Sequence, residues 1–251
     1  MNIEELNKEI RICEKCRLAG SRINVLCGEG KLNARLMLIA QAPGEYEDRE
    51  GRMFIGPSGK VLDELLHAAG ISREEIYMTN LLKCMLPKYR RPKQDEIIAC
   101  SQYLAQEIEI INPQVLVPMG YYACKHLFEK YSISIPSRTD FAALTGKLIW
   151  QKNQKIFPLA HPAALLYKES LKKFLKRDYA RLKVLKKDCK WYPLCPMKRF
   201  LENGKLKRKW IELYCKGDWE SCIRYQMEER GEYHPDCMLP DGTIDEKLRG
   251  L

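Results

Sequence analysis

Arg35-Leu-Met-Leu-Ile-Ala-Gln-Ala-Pro-Gly44 is the stretch on which the fold turns. Leu36 to Ala40 run apolar without interruption. A half-exposed strand would alternate, so an unbroken run of this length between turn residues marks a strand covered on both faces, as in a parallel sheet flanked by helices. The Ala42-Pro43-Gly44 turn that follows leaves backbone amides exposed at the strand's carboxyl end. Open α/β folds place their chemistry at that end.

Outward from this stretch the pattern repeats. Ile76 to Leu82 and Gln114 to Gly120 are further buried strands, and Lys147 to Trp150 and Lys155 to Ala160 are two late ones. Between them the spacing predicts helices over residues 1–12, from Pro57 to about Ala69, from Pro92 to Ile111, from Tyr122 to Tyr131, and from about Lys168 to Lys186. Proline at or near a helix start is well placed, because its missing N–H has no intrahelical partner there. Strands alternating with helices imply a three-layer α/β/α sandwich around a mainly parallel central sheet. Residues 132–146 carry no clear period.

After Lys187 the texture changes. Trp191, Trp210 and Trp219 fall close together beside five cysteines, Cys189, Cys195, Cys215, Cys222 and Cys237. A unit of this size has little apolar core and usually needs a staple. The expected organisation is therefore a main domain over 1–186 and a small Cys-rich, metal-stapled module over 187–251.

The formal net charge is +10, and all but one unit of it belongs to residues before Lys187. A polyanionic partner is favoured, with its footprint on the larger unit. The amino terminus lacks an apolar stretch of signal-peptide length, and no window is long and apolar enough for a membrane span. The expectation is a cytoplasmic monomer with no membrane contact. Eleven cysteines in such a chain point to metal rather than a disulfide framework.

Two segments concentrate potential chemistry. The first runs from Gln41 through Glu47-Asp48 to the Gly51-Arg-Met-Phe54-Ile-Gly56-Pro-Ser-Gly59 loop, which sets an aromatic between glycines near a strand end. The second is His161-Pro-Ala-Ala-Leu-Leu166. With Thr79-Asn80-x-x-Lys83-Cys84 between them, and cysteines spaced C-x2-C, then 67 intervening residues, then C-x15-C, residues 5–186 resemble the family-4, iron–sulfur branch of the uracil-DNA glycosylases.

The resemblance implies hydrolysis of the N-glycosidic bond of deoxyuridine in single- or double-stranded DNA, leaving an abasic site without a lyase step. It also implies roles. Phe54 would stack on the flipped base, and Ala42 and Gly44 would offer backbone contacts. Asn80 can meet the N3–H and O4 edge of uracil, and His161 would donate to O2 as the bond breaks. Leu166 would wedge into the duplex, and Arg91, with Arg90 and Lys93, would meet phosphates.

One departure stands out. The family usually writes Gly-Glu-Ala-Pro-Gly where this chain has Ala40-Gln41-Ala-Pro-Gly44, so an amide replaces the carboxylate thought to position water. Glu47 is the remaining carboxylate to take that part. The alternatives are a uracil-DNA sensor that binds without turnover and a redox-responsive iron–sulfur DNA-binding protein. The basic, His-containing insertion of a non-releasing branch is not found near Lys88 to Gln94.

Cys13, Cys16, Cys84 and Cys100 match the family's ligands for a [4Fe–4S] cluster, which would be structural. Cys27 and Cys124 are expected to be buried free thiols. Cys189, Cys195, Cys215 and Cys222 form C-x5-C, nineteen residues, C-x6-C, with Pro196 after the second. A second metal site is expected there, iron–sulfur favoured over zinc, with Cys237 the alternative fourth ligand. The sequence names no partner for this module.

Overall fold

The computed structural model describes residues 1–249. Six strands form one sheet: β1 (Glu29–Gly30), β2 (Leu36–Ala40), β3 (Tyr77–Asn80), β4 (Val115–Pro118), β5 (Ile149–Gln151) and β6 (Gln154–Ile156), in the order β1-β3-β2-β4-β6-β5. The four inner strands run parallel, with Ala40 opposite Asn80 and Val115 opposite Lys155. The edge strands β1 and β5 are antiparallel to their neighbours. The mainly parallel α/β sandwich is thus present.

Because side chains alternate along a strand, β2 feeds both layers. Met37 and Ile39 pack with Leu6, Leu104, Ile108 and Phe128 from α1 (Ile3–Arg11), α4 (Gln94–Ile111) and α5 (Tyr121–Tyr131). Leu36, Leu38 and Ala40 pack on the other face with Leu62, Leu65, Leu175 and Tyr179. Those come from α3 (Pro57–Ala68) and α7 (Lys172–Ala180). Short helices α2 (Glu45–Glu50) and α6 (Ala164–Tyr167) sit just beyond the carboxyl ends of the strands.

Two expectations need adjustment. The two late strands pair as an antiparallel hairpin turned at Lys152 and Asn153, both with positive φ. The single helix expected over 168–186 is divided into a 3-10 turn at Glu169–Leu171, then α7, then α8 (Leu182–Leu185). At the α7–α8 division, Arg181 donates to the Gly146 carbonyl and pairs with Asp218. Tertiary partners have overridden helical continuity.

Beyond α8, helices α9 (Pro196–Glu202) and α10 (Arg208–Trp210) contribute to a separate apolar cluster of Met197, Phe200, Leu206, Ile211, Leu239 and Leu248, and α11 (Ile223–Arg230) follows. This part docks at the amino ends of the strands. Trp219 is buried and its Nε1 donates to the Val184 and Lys187 carbonyls at 3.0 and 3.1 Å. Lys155, on β6, reaches Glu212 at 2.9 Å and the Lys216 carbonyl at 2.6 Å. Arg35, one residue before β2, pairs with Asp188 at 2.6 Å. No helix among the described residues is long and apolar enough to cross a membrane.

Candidate active site

Ala42, Gly44, Glu47, Phe54, Asn80 and His161, from four separate segments, line one small cavity of about 30 Å³ at the carboxyl ends of the strands. It opens into a groove of about 410 Å³, to which Gln41 and Leu166 contribute. Gln41 lines the groove but not the inner cavity. Leu166 is exposed on α6, beside the still more exposed Tyr167. Arg91 is exposed and lines neither space; Arg90 lines the groove, held by the buried Glu96 at 2.5 Å.

Each inner residue is held by identifiable contacts. Asn80 ends β3, pinned through register with Ala40, and its Nδ2 donates to Met53 Sδ at 3.2 Å. Behind it, Lys83 is buried and its Nζ donates to the Asn80 carbonyl at 3.0 Å, to Thr79 Oγ1 at 2.6 Å and to Glu107 at 2.5 Å. Phe54 is buried with φ of 52°, a left-handed conformation unusual for an aromatic. The strain is supported from two sides. Arg73 donates to the Met53 and Phe54 carbonyls at 3.2 and 2.7 Å. Gly59 lets the Phe54 carbonyl approach so closely that a Cβ there would stand 1.8 Å from its oxygen.

Glu47, buried on α2, accepts from the Gly56 N–H at 2.9 Å through Oε1. Its Oε2 lies against Gly44, where a Cβ would be only 2.5 Å away. The neighbouring Asp48 is buried too, but it accepts from the Ile23 and Asn24 backbone N–H groups and fixes the 23–24 segment.

His161 stands across the cavity with its ring 6.3 Å from that of Phe54, tilted by 31°. Desolvation pushes its pKa down from 6.5 to about 4, so the imidazole is neutral near pH 7. Its Nδ1 accepts from the Ala163 N–H at 3.2 Å. The proton of a neutral ring must then sit on Nε2, which makes that atom the donor.

A second convergence lies behind Lys83. Cys13, Cys16, Cys84 and Cys100 line a common pocket with Arg22 and Tyr103. Arg22 Nη1 donates to Cys84 Sγ at 3.3 Å, and the Lys83 N–H donates to Cys100 Sγ at 3.3 Å. Burial pushes the Cys84 thiol up and the Cys100 thiol to about 11. Four cysteines on one pocket, two of them accepting from N–H donors, supply the donor set of a thiolate-bound iron–sulfur cluster. Of the two spare cysteines, Cys124 is buried as expected, whereas Cys27 is part-exposed.

Arg73, Met53 and the groove residues Tyr46 and Tyr89 escaped the sequence reading. Arg73 acts on backbone carbonyls some twenty residues away, which leaves no local pattern. Tyr89 follows Lys88 in two consecutive left-handed residues at the groove's rim, a conformation the Pro87-Lys-Tyr sequence does not announce.

The profile of the Uracil DNA glycosylase superfamily matches residues 27–183, and the chain belongs to that superfamily. Among similar proteins, the Type-4 uracil-DNA glycosylase of Sulfurisphaera tokodaii is 38% identical over 189 residues, covering 73% of this chain and 84% of that protein. That of Saccharolobus solfataricus is 39% identical, covering 72% of this chain and 85% of that protein. The Thermotoga maritima Type-4 enzyme is 36% identical, covering 72% and 93%. The superfamily match ends near the start of α8, short of the Cys-rich segment.

Proposed function

We propose that this protein is a monofunctional uracil-DNA glycosylase that starts base-excision repair by hydrolysing the N-glycosidic bond of deoxyuridine in DNA. The observation that carries the reading is the neutral His161, with Nε2–H as donor, sharing one small cavity with Asn80, Phe54 and Glu47. The relatives named Type-4 uracil-DNA glycosylase support it over most of their length.

The chemistry follows from the groups present. A base must leave the stack to enter this cavity. Phe54 forms a wall on which it can stack. Asn80 Nδ2 has one hydrogen directed to Met53 and a second free for uracil O4, while Oδ1 accepts N3–H. Cytosine presents the reverse pattern at those two positions and would leave both buried groups unpaired. As the C1′–N1 bond breaks, its electron pair leaves with the base and charge gathers on O2, where Nε2–H of His161 stabilises it. Water then adds to the sugar cation at C1′ and gives up one proton, which balances the charge on the released uracil anion. Glu47, with Oε1 engaged by Gly56, has Oε2 to orient that water.

Such a cation needs little nucleophilic push, so an amide at Gln41, out in the groove, is compatible with turnover. The thiolates of Cys13, Cys16, Cys84 and Cys100 would hold a [4Fe–4S] cluster that fixes the amino-terminal segment against α4. Residues 1–186 form the catalytic unit and 187–251 an appended one.

Excision of uracil from a labelled oligonucleotide, read by alkaline cleavage, tests the assignment. Multiple turnovers are expected. His161→Ala should lower kcat by about 10²–10³-fold, the usual effect of removing one such donor, with the visible absorbance of the cluster unchanged. Tight binding without abasic product would mean a sensor rather than an enzyme, and an unaltered His161→Ala rate would remove His161 from the mechanism.

A further inference from the structure

The carboxyl-terminal unit holds a second, more open convergence of thiols. Cys189 follows α8, Cys195 precedes α9, Cys215 ends the helical turn after α10, and Cys222 precedes α11. All four line a single cavity. The Cys189 N–H donates to the Cys215 carbonyl at 2.7 Å, joining the first and third of these segments. Cys237 is buried as well but does not line the cavity; it packs in the apolar cluster with Leu239 and Leu248.

One charged side chain on this cavity has an unmet requirement. Arg224, on α11, is 3% exposed. Its Nη1 is saturated by the carbonyls of Pro235, Asp236 and Met238 at 2.9, 3.1 and 2.8 Å. Its Nε and Nη2 are buried and have no acceptor among the described residues. The carboxylate nearest in kind, Glu228, lines the same cavity but lies 3.1 Å from His234 Nε2. A guanidinium cannot shed its proton, so a buried one requires an anion. No carboxylate among the described residues pairs with it, and the cavity that Arg224 shares with the four thiols is where the anion would be.

We propose that Cys189, Cys195, Cys215 and Cys222 bind a second [4Fe–4S] cluster and that Arg224 is its internal counter-ion. Four thiolates around a cubane make a net dianion, which answers the two orphaned nitrogens of Arg224, Nε and Nη2. A zinc tetrathiolate is also a dianion, but it draws its sulfurs to within about 3.8 Å of one another around bonds of about 2.3 Å. Thiols ringing a cavity suit a cluster in which each binds a different iron. This site lies in the unit docked at the amino ends of the strands, so the proposal stands apart from the glycosylase reading.

The test is the metal content of the full chain, purified and reconstituted without oxygen. Two cubanes require roughly eight irons and as many acid-labile sulfides per chain. Cys195→Ser with Cys215→Ser should leave about half of each, and Cys237→Ser should leave all of it. One zinc beside half the iron, or no metal at the second site, would overturn the cluster; loss of half the iron in Cys237→Ser would overturn the quartet. For Arg224, the readout is the cluster's reduction potential. Removing a cation beside it disfavours the more negative, reduced form, so Arg224→Met should shift the potential downward while Arg224→Lys stays near the parent. An unshifted Arg224→Met protein with full iron would dismiss Arg224 as counter-ion. If the double cysteine variant does not fold, the iron-to-zinc ratio of the parent chain still decides.

Discussion

At the residue scale, His161 ties stability to pH in a defined direction. Its folded pKa, near 4, lies below the ordinary 6.5, so between these values the unfolded chain binds the proton and the folded chain does not. The stability contributed by the neutral ring is complete above about pH 6.5 and is lost as pH falls toward 4. Urea midpoints measured from pH 7.5 down to 4.5 should therefore fall faster for the parent than for His161→Gln; parallel curves would mean that the ring is not desolvated. Gly59 makes a second residue-level demand. A methyl there meets the Phe54 carbonyl at 1.8 Å, and backbone cannot yield cheaply. Gly59→Ala should cost about 1–3 kcal/mol, as overpacking does, and displace Phe54, giving a lower Tm together with a higher KM. Much of the site could be read from the chain because Asn80 ends one buried strand and His161 follows another, at places where such folds keep reactive groups. Arg73 and Asp48 could not be so read, since both act by holding backbone far away in sequence.

At the level of elements, the piece between β3 and α4 joins two functions. Within five residues, Asn80 faces the cavity, Lys83 holds its carbonyl, and Cys84 faces the amino-terminal cysteines. Lys83 and Glu107 form an ion pair that is almost fully enclosed. Removing one partner strands a charge, so Lys83→Met should destabilise by about 3–5 kcal/mol in urea unfolding, and adding Glu107→Leu should return much of that loss. No recovery in the double variant would mean that Lys83 matters through Asn80 and Thr79 instead. Strands β2 and β4 were legible because both faces of the sheet are covered and the apolar runs are unbroken. The break between α7 and α8 was not, because Arg181 takes its partners from Gly146 and from Asp218, neither of which a local helical pattern can reveal.

For the whole molecule, the sheet separates two ends with different business. The cavity and groove lie at the carboxyl ends of the strands, and the Cys-rich unit docks at the amino ends through Trp219, Lys155 and Arg35. Trp219→Ala should cost about 3–5 kcal/mol of docking and packing, and limited proteolysis should then cut near Lys187 while the excised 1–186 portion keeps its uracil turnover. Cutting elsewhere, or loss of turnover in step with cleavage, would mean that the two parts do not behave separately. The change of texture after Lys187 foretold the second unit, but its place of attachment was invisible, since Arg35 and Lys155 are unremarkable in their own segments. The consequence of this placement is a matter of traffic. The groove opens at one end of the strands, and the other end carries a body that is close to neutral, with 13 Lys and Arg against 12 Asp and Glu from Lys187 onward. None of the residues lining the cavity or the groove comes from the Cys-rich unit, so that body neither narrows the doorway nor stands in it.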